Sequence, residues 1–140
     1  MRVVLDTNTL VSAVLSPNGP PRRLLDDARA QRFELCSSPV LLAELLDVIS
    51  REKFAQRLTQ AGLMPRGIFG EIRRLSSVTR PANVPHVIAN DADDDHVLAC
   101  ALAANVDLIV SGDKHFQSLG GEYHGIRIVT PAEAVEMIGG

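Results

Sequence analysis

Acidic residues stand at four places where a strand end or a helix could present them to solvent or to a ligand: Asp6, Glu44, the run Asp93-Asp94-Asp95, and Asp113. Carboxylates gathered at one rim repel, and two unit charges about 4 Å apart cost roughly 4 kcal/mol at an effective dielectric near 20. A divalent cation removes that cost. Hard oxygen donors without a Cys/His zinc spacing favour Mg²⁺ or Mn²⁺, and such a site supports hydrolysis of a phosphodiester by water activated beside one or two ions. Each acid also has a plainer reading. An Asp after a strand is about as often a helix cap as a ligand, and Asp91, Asp93, Asp94 and Asp95 together suit a hydrated loop against a helix N-terminus. At about 100° per residue Glu44 lies on the flank of an apolar helix face while Asp47 points outward, a place that suits a surface carboxylate as well as a ligand.

The elements that must position these acids can be read from apolar periodicity and breakers. Arg2 to Leu5 is a short strand rich in β-branched residues, and Asp6-Thr7-Asn8-Thr9 suits the cap of a following helix. Pro17, Gly19, Pro20 and Pro21 break the chain before a helix over Arg22 to Gln31, and Phe33 to Cys36 reads as the next strand. Ser38-Pro39 has the form of an N-cap with proline at the first helical position, opening a helix through Ile49. Helices are predicted over Arg51 to Gln60 and Pro65 to Ser76, with an extended segment from Val78. The loop from Pro81 to Ala92 is long for a compact domain, a length that goes with a working surface. Val97 to Ala104, with Asp95 just before it, is apolar almost all round and predicts a helix packed inside. Asp107 to Val110 and Ile126 to Val129 are strands, and Thr130-Pro131 with Glu133 three residues on fits a capped last helix through Ile138.

Strands alternating with helices predict an α/β fold, a doubly wound parallel sheet flanked by helices on both faces. Ligands of such sheets sit beyond the carboxyl ends of the strands. Asp6 and Asp113 both follow strands directly, so they project from one edge, and Asp95 can reach it from the start of its helix.

A chain of 140 residues, 46% hydrophobic and 22% charged, fits one domain over 1–140 with its own core. No apolar run approaches the roughly 20 residues that cross a bilayer, and Asp6 interrupts any signal peptide, so a cytoplasmic protein without a membrane partner is expected. Cys36 and Cys100 lie in apolar segments and read as buried free thiols. The formal net charge of −3 argues mildly against nucleic acid. The distribution softens this: Arg22, Arg23, Arg29 and Arg32 fall in one stretch, Arg51, Lys53 and Arg57 in a second, and Arg66, Arg73, Arg74 and Arg80 in a third. Solvated helix faces account for any one cluster taken alone.

Four blocks now stand in order: Val3-Val-Leu-Asp-Thr-Asn8, Glu44-Leu-Leu-Asp-Val-Ile49, Asp91-Ala-Asp-Asp-Asp-His-Val-Leu-Ala-Cys-Ala101, and Leu108-Ile-Val-Ser-Gly-Asp-Lys-His-Phe116. Together they resemble the successive signatures of PIN-domain proteins over nearly the whole chain, closest to the prokaryotic VapC-like toxin components of toxin–antitoxin systems. The resemblance implies a PIN-like doubly wound α/β fold and a Mg²⁺- or Mn²⁺-dependent endoribonuclease. By position Asp6, Glu44, Asp95 and Asp113 match its catalytic metal-binding acids, and Asn8 and Ser111 match polar helpers. The aspartate run permits a slip of register, so Asp94 shares the claim; Asp95 is preferred because it stands three residues before Leu98-Ala99. His115 occupies a place where many relatives carry another Asp. His86, His96 and His124 read as surface or packing residues.

The family pattern implies products with a 5′-phosphate and a 3′-hydroxyl, an RNA substrate, a small protein antitoxin across the rim, and in many members a homodimer. Arg22, Arg23, Arg51, Lys53 and Lys114 are the candidates for holding the RNA backbone, and unpaired RNA threads a narrow acidic groove best. The alternative keeps the fold but drops catalysis, leaving an RNA-binding or regulatory module with structural acids. A third reading, Asp6 as phosphoacceptor, ranks lower because Asn8 stands where such phosphatases carry a second Asp.

Overall fold

The computed structural model describes residues 1–83, 92–117 and 119–139. Most of the Pro81 to Ala92 loop, with His86 and Asp91, lies outside the described residues. The element order is β1 (Arg2–Leu5), α1 (Thr7–Leu15), α2 (Pro20–Arg29), β2 (Glu34–Ser37), α3 (Pro39–Ile49), α4 (Glu52–Gln60), α5 (Pro65–Leu75), β3 (Ser76–Val78), α6 (Ala92–Ala104), β4 (Leu108–Val110), α7 (Lys114–Gln117), β5 (Glu122–Tyr123), β6 (Ile126–Val129) and α8 (Pro131–Gly139).

The sheet runs in the order β3-β2-β1-β4-β6-β5. Its first five strands in that order are parallel, with Leu5 opposite Val110 and Val110 opposite Val129. The last, β5, pairs antiparallel with β6 and was not expected. It is two residues long and rests on a turn through His124 and Gly125, both at positive φ, a geometry that no hydrophobic pattern announces. From β1 the chain winds outward through β2 to β3, and from β4 outward through β6. The winding reverses between β1 and β4, and such reversal points open the crevice in which doubly wound sheets bind ligands.

Alternation along the strands divides the core in two. Val3, Leu5, Leu35, Leu108 and Val110 face one cluster, built with α1, α2, α3, α5 and α8. Val4, Cys36 and Ile109 face the other, built mainly with α6, Phe116 and Ile126. Helices therefore cover both faces, as strands apolar on each side require. Cys36 and Cys100 are buried free thiols in the second cluster, and burial pushes the Cys100 thiol up to about 12. The helix α6 is less enclosed than its composition predicts: Val97 to Ala101 are buried, but Leu102 is 36% exposed, so one stripe meets solvent.

Boundaries follow local chemistry. Ser38 Oγ accepts from Leu41 N with Pro39 at the helix start, and Thr130 and Glu133 form a reciprocal capping box, Glu133 Oε1 accepting from Thr130 N at 3.0 Å and Thr130 Oγ1 from Glu133 N at 3.2 Å. The helix α5 stops at Leu75, one residue before the expected end. Ser76 donates its hydroxyl to Ile72 O and enters the sheet opposite Leu35, so the third strand ends at Val78 where the sequence suggests a beginning. Among the described residues no helix is long and apolar enough to cross a membrane.

Candidate metal centre

The first strand ends at Leu5, and the next residue takes up two jobs at once. Asp6 is 4% exposed. Its Oδ1 accepts from Thr9 N at 2.8 Å, capping α1, and its Oδ2 accepts from the Ser111 hydroxyl across the gap between β1 and β4. Asp6 N also donates to Val110 O, which fixes its backbone to the neighbouring strand end. The cap that the sequence offers as an alternative is therefore real, and it uses only one of the two carboxylate oxygens.

Ser111 is the hub of this edge. It lies buried just after β4, donates to Asp6, and accepts from Asp113 N at 3.0 Å. Asp113 in turn accepts on Oδ1 from His115 N at 2.9 Å, starting α7. A four-residue helix has no stability of its own. This one is held by Phe116, which is fully buried, a contribution of about 1.5–3 kcal/mol for a side chain of that size. Asp6, Asn8, Asp113 and Gly112 line an open cleft of about 280 Å³ with Thr9, Ser12, Pro21 and Pro131.

Burial pushes the Asp6 carboxyl above the usual carboxylate range, and the charge of Asp113 adds to that; the Ser111 and Thr9 hydrogen bonds pull the other way without cancelling it. An acid so placed gains from a cation, which favours its charged form.

The helix α6 carries Asp94 and Asp95, both buried. Asp94 Oδ2 lies 3.1 Å from His115 Nδ1, and Asp113 Oδ1 lies 3.4 Å from the same nitrogen. One donor atom each from Asp94, Asp113 and His115 falls within 4.8 Å of the others. The chemistry of this donor set, two carboxylates and an imidazole converging beside a third buried acid, fits a divalent cation.

The fold thus brings Asp6, Asn8 and Asp113 to one cleft, links Asp6 to the backbone of Asp113 through Ser111, and joins Asp94 to Asp113 through His115. Asp95 is buried next to Asp94. Glu44 is partly buried on α3, which packs against α1, α5 and α6. Sequence reasoning leaves His115 outside the candidate ligands and marks it only as standing where many relatives carry another Asp; its contact with Asp94 spans 21 positions of sequence.

The basic candidates are placed unevenly. Arg22 donates to Ala13 O at 2.6 Å and Val14 O at 3.0 Å, closing the C-terminal end of α1. Arg23 pairs with the buried Asp27. Arg51 makes an exposed pair with Asp47 at 3.3 Å, Lys53 Nζ lies 5.0 Å above the Phe54 ring, and Lys114 is exposed at the start of α7.

Comparison with known proteins agrees with this fold. The chain is 27% identical to an uncharacterized protein of Methanocaldococcus jannaschii, over 97% of this chain and 90% of that one. Its fold is similar to that in the crystal structure of VapBC2 from Rickettsia felis bound to a DNA fragment from their promoter, with a TM-score of 0.58, 16% identity and coverage of 93% of this chain and 98% of that one. It is equally similar to VapBC-1 from nontypeable Haemophilus influenzae, with a TM-score of 0.59, 16% identity and coverage of 94% and 99%. The family model described as "PIN domain" matches residues 2–115, a span that runs from the first residue of β1 to His115 and takes in every acid of the cleft. The chain belongs to the PIN-domain family.

Proposed function

We propose that this protein is a Mg²⁺- or Mn²⁺-dependent endoribonuclease, the toxin of a toxin–antitoxin pair. The observation that carries the reading is the Asp6–Ser111–Asp113 chain of hydrogen bonds at the reversal point of the sheet, with Asp94 of α6 joined to Asp113 through His115. Asp6, Glu44, Asp95 and Asp113, with Asp94, are the residues that would hold the cation. When bound, such an ion lowers the pKa of a water and offsets negative charge on the phosphate.

The protein's own groups do the positioning. Ser111 and Thr9 N fix the Asp6 carboxylate, so it need not reorganise when substrate arrives. Asn8 is exposed at the lip of the cleft, where its amide can meet a phosphate oxygen. Arg51, Lys53 and Lys114 supply cationic contacts to the RNA backbone. Arg51 and Asp47 are exposed enough that a phosphate can replace their weak pairing. Arg22 and Arg23 serve the fold first, by the contacts already given. The likeness in fold to two VapBC assemblies supports a small antitoxin covering the cleft.

A second reading, the non-catalytic RNA-binding module, draws on the cap: both Asp6 oxygens already accept hydrogen bonds within the protein. Cleavage of labelled RNA in Mn²⁺ separates the two. The nuclease reading expects cleavage by wild type that Asp6→Asn abolishes. Absence of cleavage by a folded, Mn²⁺-loaded wild type, or equal cleavage by the variant, contradicts it.

A further inference from the structure

His115 brings an imidazole nitrogen beside the carboxylates of this rim. Its Nδ1 stands 3.1 Å from Asp94 Oδ2 and 3.4 Å from Asp113 Oδ1. Ligands held about 2.0–2.2 Å from a common ion sit roughly 2.8–3.6 Å apart at the corners of an octahedron or a tetrahedron. Both nitrogen–oxygen separations fall in that range, and the three donor atoms lie within 4.8 Å of one another. The placement is also fixed before any ligand binds. Phe116 anchors α7 in the core, Asp113 accepts from His115 N, and Ser111 accepts from Asp113 N.

Resting on the metal-site reading above, we propose that His115 is itself a ligand of the cation through Nδ1, beside Asp94 and Asp113, and that it tilts the site away from Mg²⁺ toward transition metals. Carboxylate and water donors suit Mg²⁺ and Mn²⁺ alike, whereas imidazole suits later first-row metals and adds little for Mg²⁺. Affinity for a mixed nitrogen and oxygen site rises from Mn²⁺ to Co²⁺. The chain therefore discriminates among cations at a position where an aspartate would not. His115 is partly exposed, 41% for its side chain, so its substitution leaves the core intact.

The test is electron spin-echo envelope modulation on the full chain loaded with Mn²⁺, together with competition between Mg²⁺ and Co²⁺ for the same site. Wild type is expected to show ¹⁴N modulation from a bound imidazole. His115→Asp is expected to keep Mn²⁺ but lose the modulation, and its preference for Co²⁺ over Mg²⁺ to fall by about tenfold or more, the scale on which changes around a metal alter affinity. His115→Ala is expected to lose the modulation as well. Bound Mn²⁺ without nitrogen modulation in wild type, or modulation unchanged in both variants, overturns the proposal and leaves the metal site standing, with His115 only hydrogen-bonded to the acids. Failure of wild type to bind Mn²⁺ overturns the metal-site reading and this proposal with it.

Discussion

Two aspartates are buried almost equally in this protein, Asp6 at 4% exposure and Asp27 at 3%, and their surroundings are opposite. Asp27 sits on α2, with Arg23 Nε at 3.3 Å and Arg32 Nη1 at 3.7 Å from its Oδ1. Asp6 is held by neutral donors, Thr9 N and the Ser111 hydroxyl, and its charged neighbour is a second acid, Asp113. A buried acid with cations of its own is a structural pair, and removing one partner is what harms the fold. A buried acid beside another acid is left to gain from a cation supplied from outside. Among the described residues Asp27 has two guanidinium groups beside its Oδ1, although its Oδ2 is buried without a hydrogen-bond partner, whereas the charged group acting on Asp6 is another acid.

The largest expected effect breaks the comparison on activity. Asp6→Asn keeps the cap and the shape, and is expected to lower RNA cleavage by at least about a hundredfold, since even partners of metal ligands are worth about 10–100-fold. Asp27→Asn, assayed on the folded fraction, is expected to cleave like wild type.

Next in size is stability under metal. At about 100 times Kd, Mn²⁺ is expected to stabilise wild type by near 2.7 kcal/mol, read as a rise in Tm. The ordering of the two sites then inverts without metal. Asp27→Asn is expected to lose about 2 kcal/mol in denaturant unfolding. That is below the roughly 3–5 kcal/mol of a fully buried pair, because Arg23 and Arg32 are each 52% exposed. Asp6→Asn is expected to lose little near neutral pH.

The smallest effect is a pH dependence. Folding raises the Asp6 carboxyl above its ordinary 3.8, so the folded chain favours the protonated form. The resulting stabilisation is fully present below the ordinary value and is lost as pH rises through the raised one. In metal-free thermal melts, wild type minus Asp6→Asn is expected to be most positive in acid and to shrink as pH increases. A difference that grows with pH would mean that Asp6 is already compensated.

Much of this was legible in the chain because it is local. The run Arg2 to Leu5, the Ser38-Pro39 start and the Thr130–Glu133 box each declare themselves within a few residues, and a strand followed at once by Asp predicts its own edge. What escaped depends on contacts far apart in sequence. The pairing of His115 with Asp94 arises only after β1 and β4 are neighbours and α6 is laid across them. Arg22 and Arg23 look like any basic helix face until Arg22 finds the carbonyls of α1 and Arg23 finds Asp27. The two-residue β5 and four-residue α7 carry too few residues for a period to register. Glu44 rests on likeness to the family together with a flank position on α3.

The central claim is that the rim, and not the α2 corner, is built for a cation, and a Mn²⁺ thermal-shift titration of wild type, Asp6→Asn and Asp27→Asn tests it directly. The account predicts a saturable rise in Tm for wild type and Asp27→Asn and a loss of that rise in Asp6→Asn. A flat response in wild type, or an equal rise in Asp6→Asn, would contradict it.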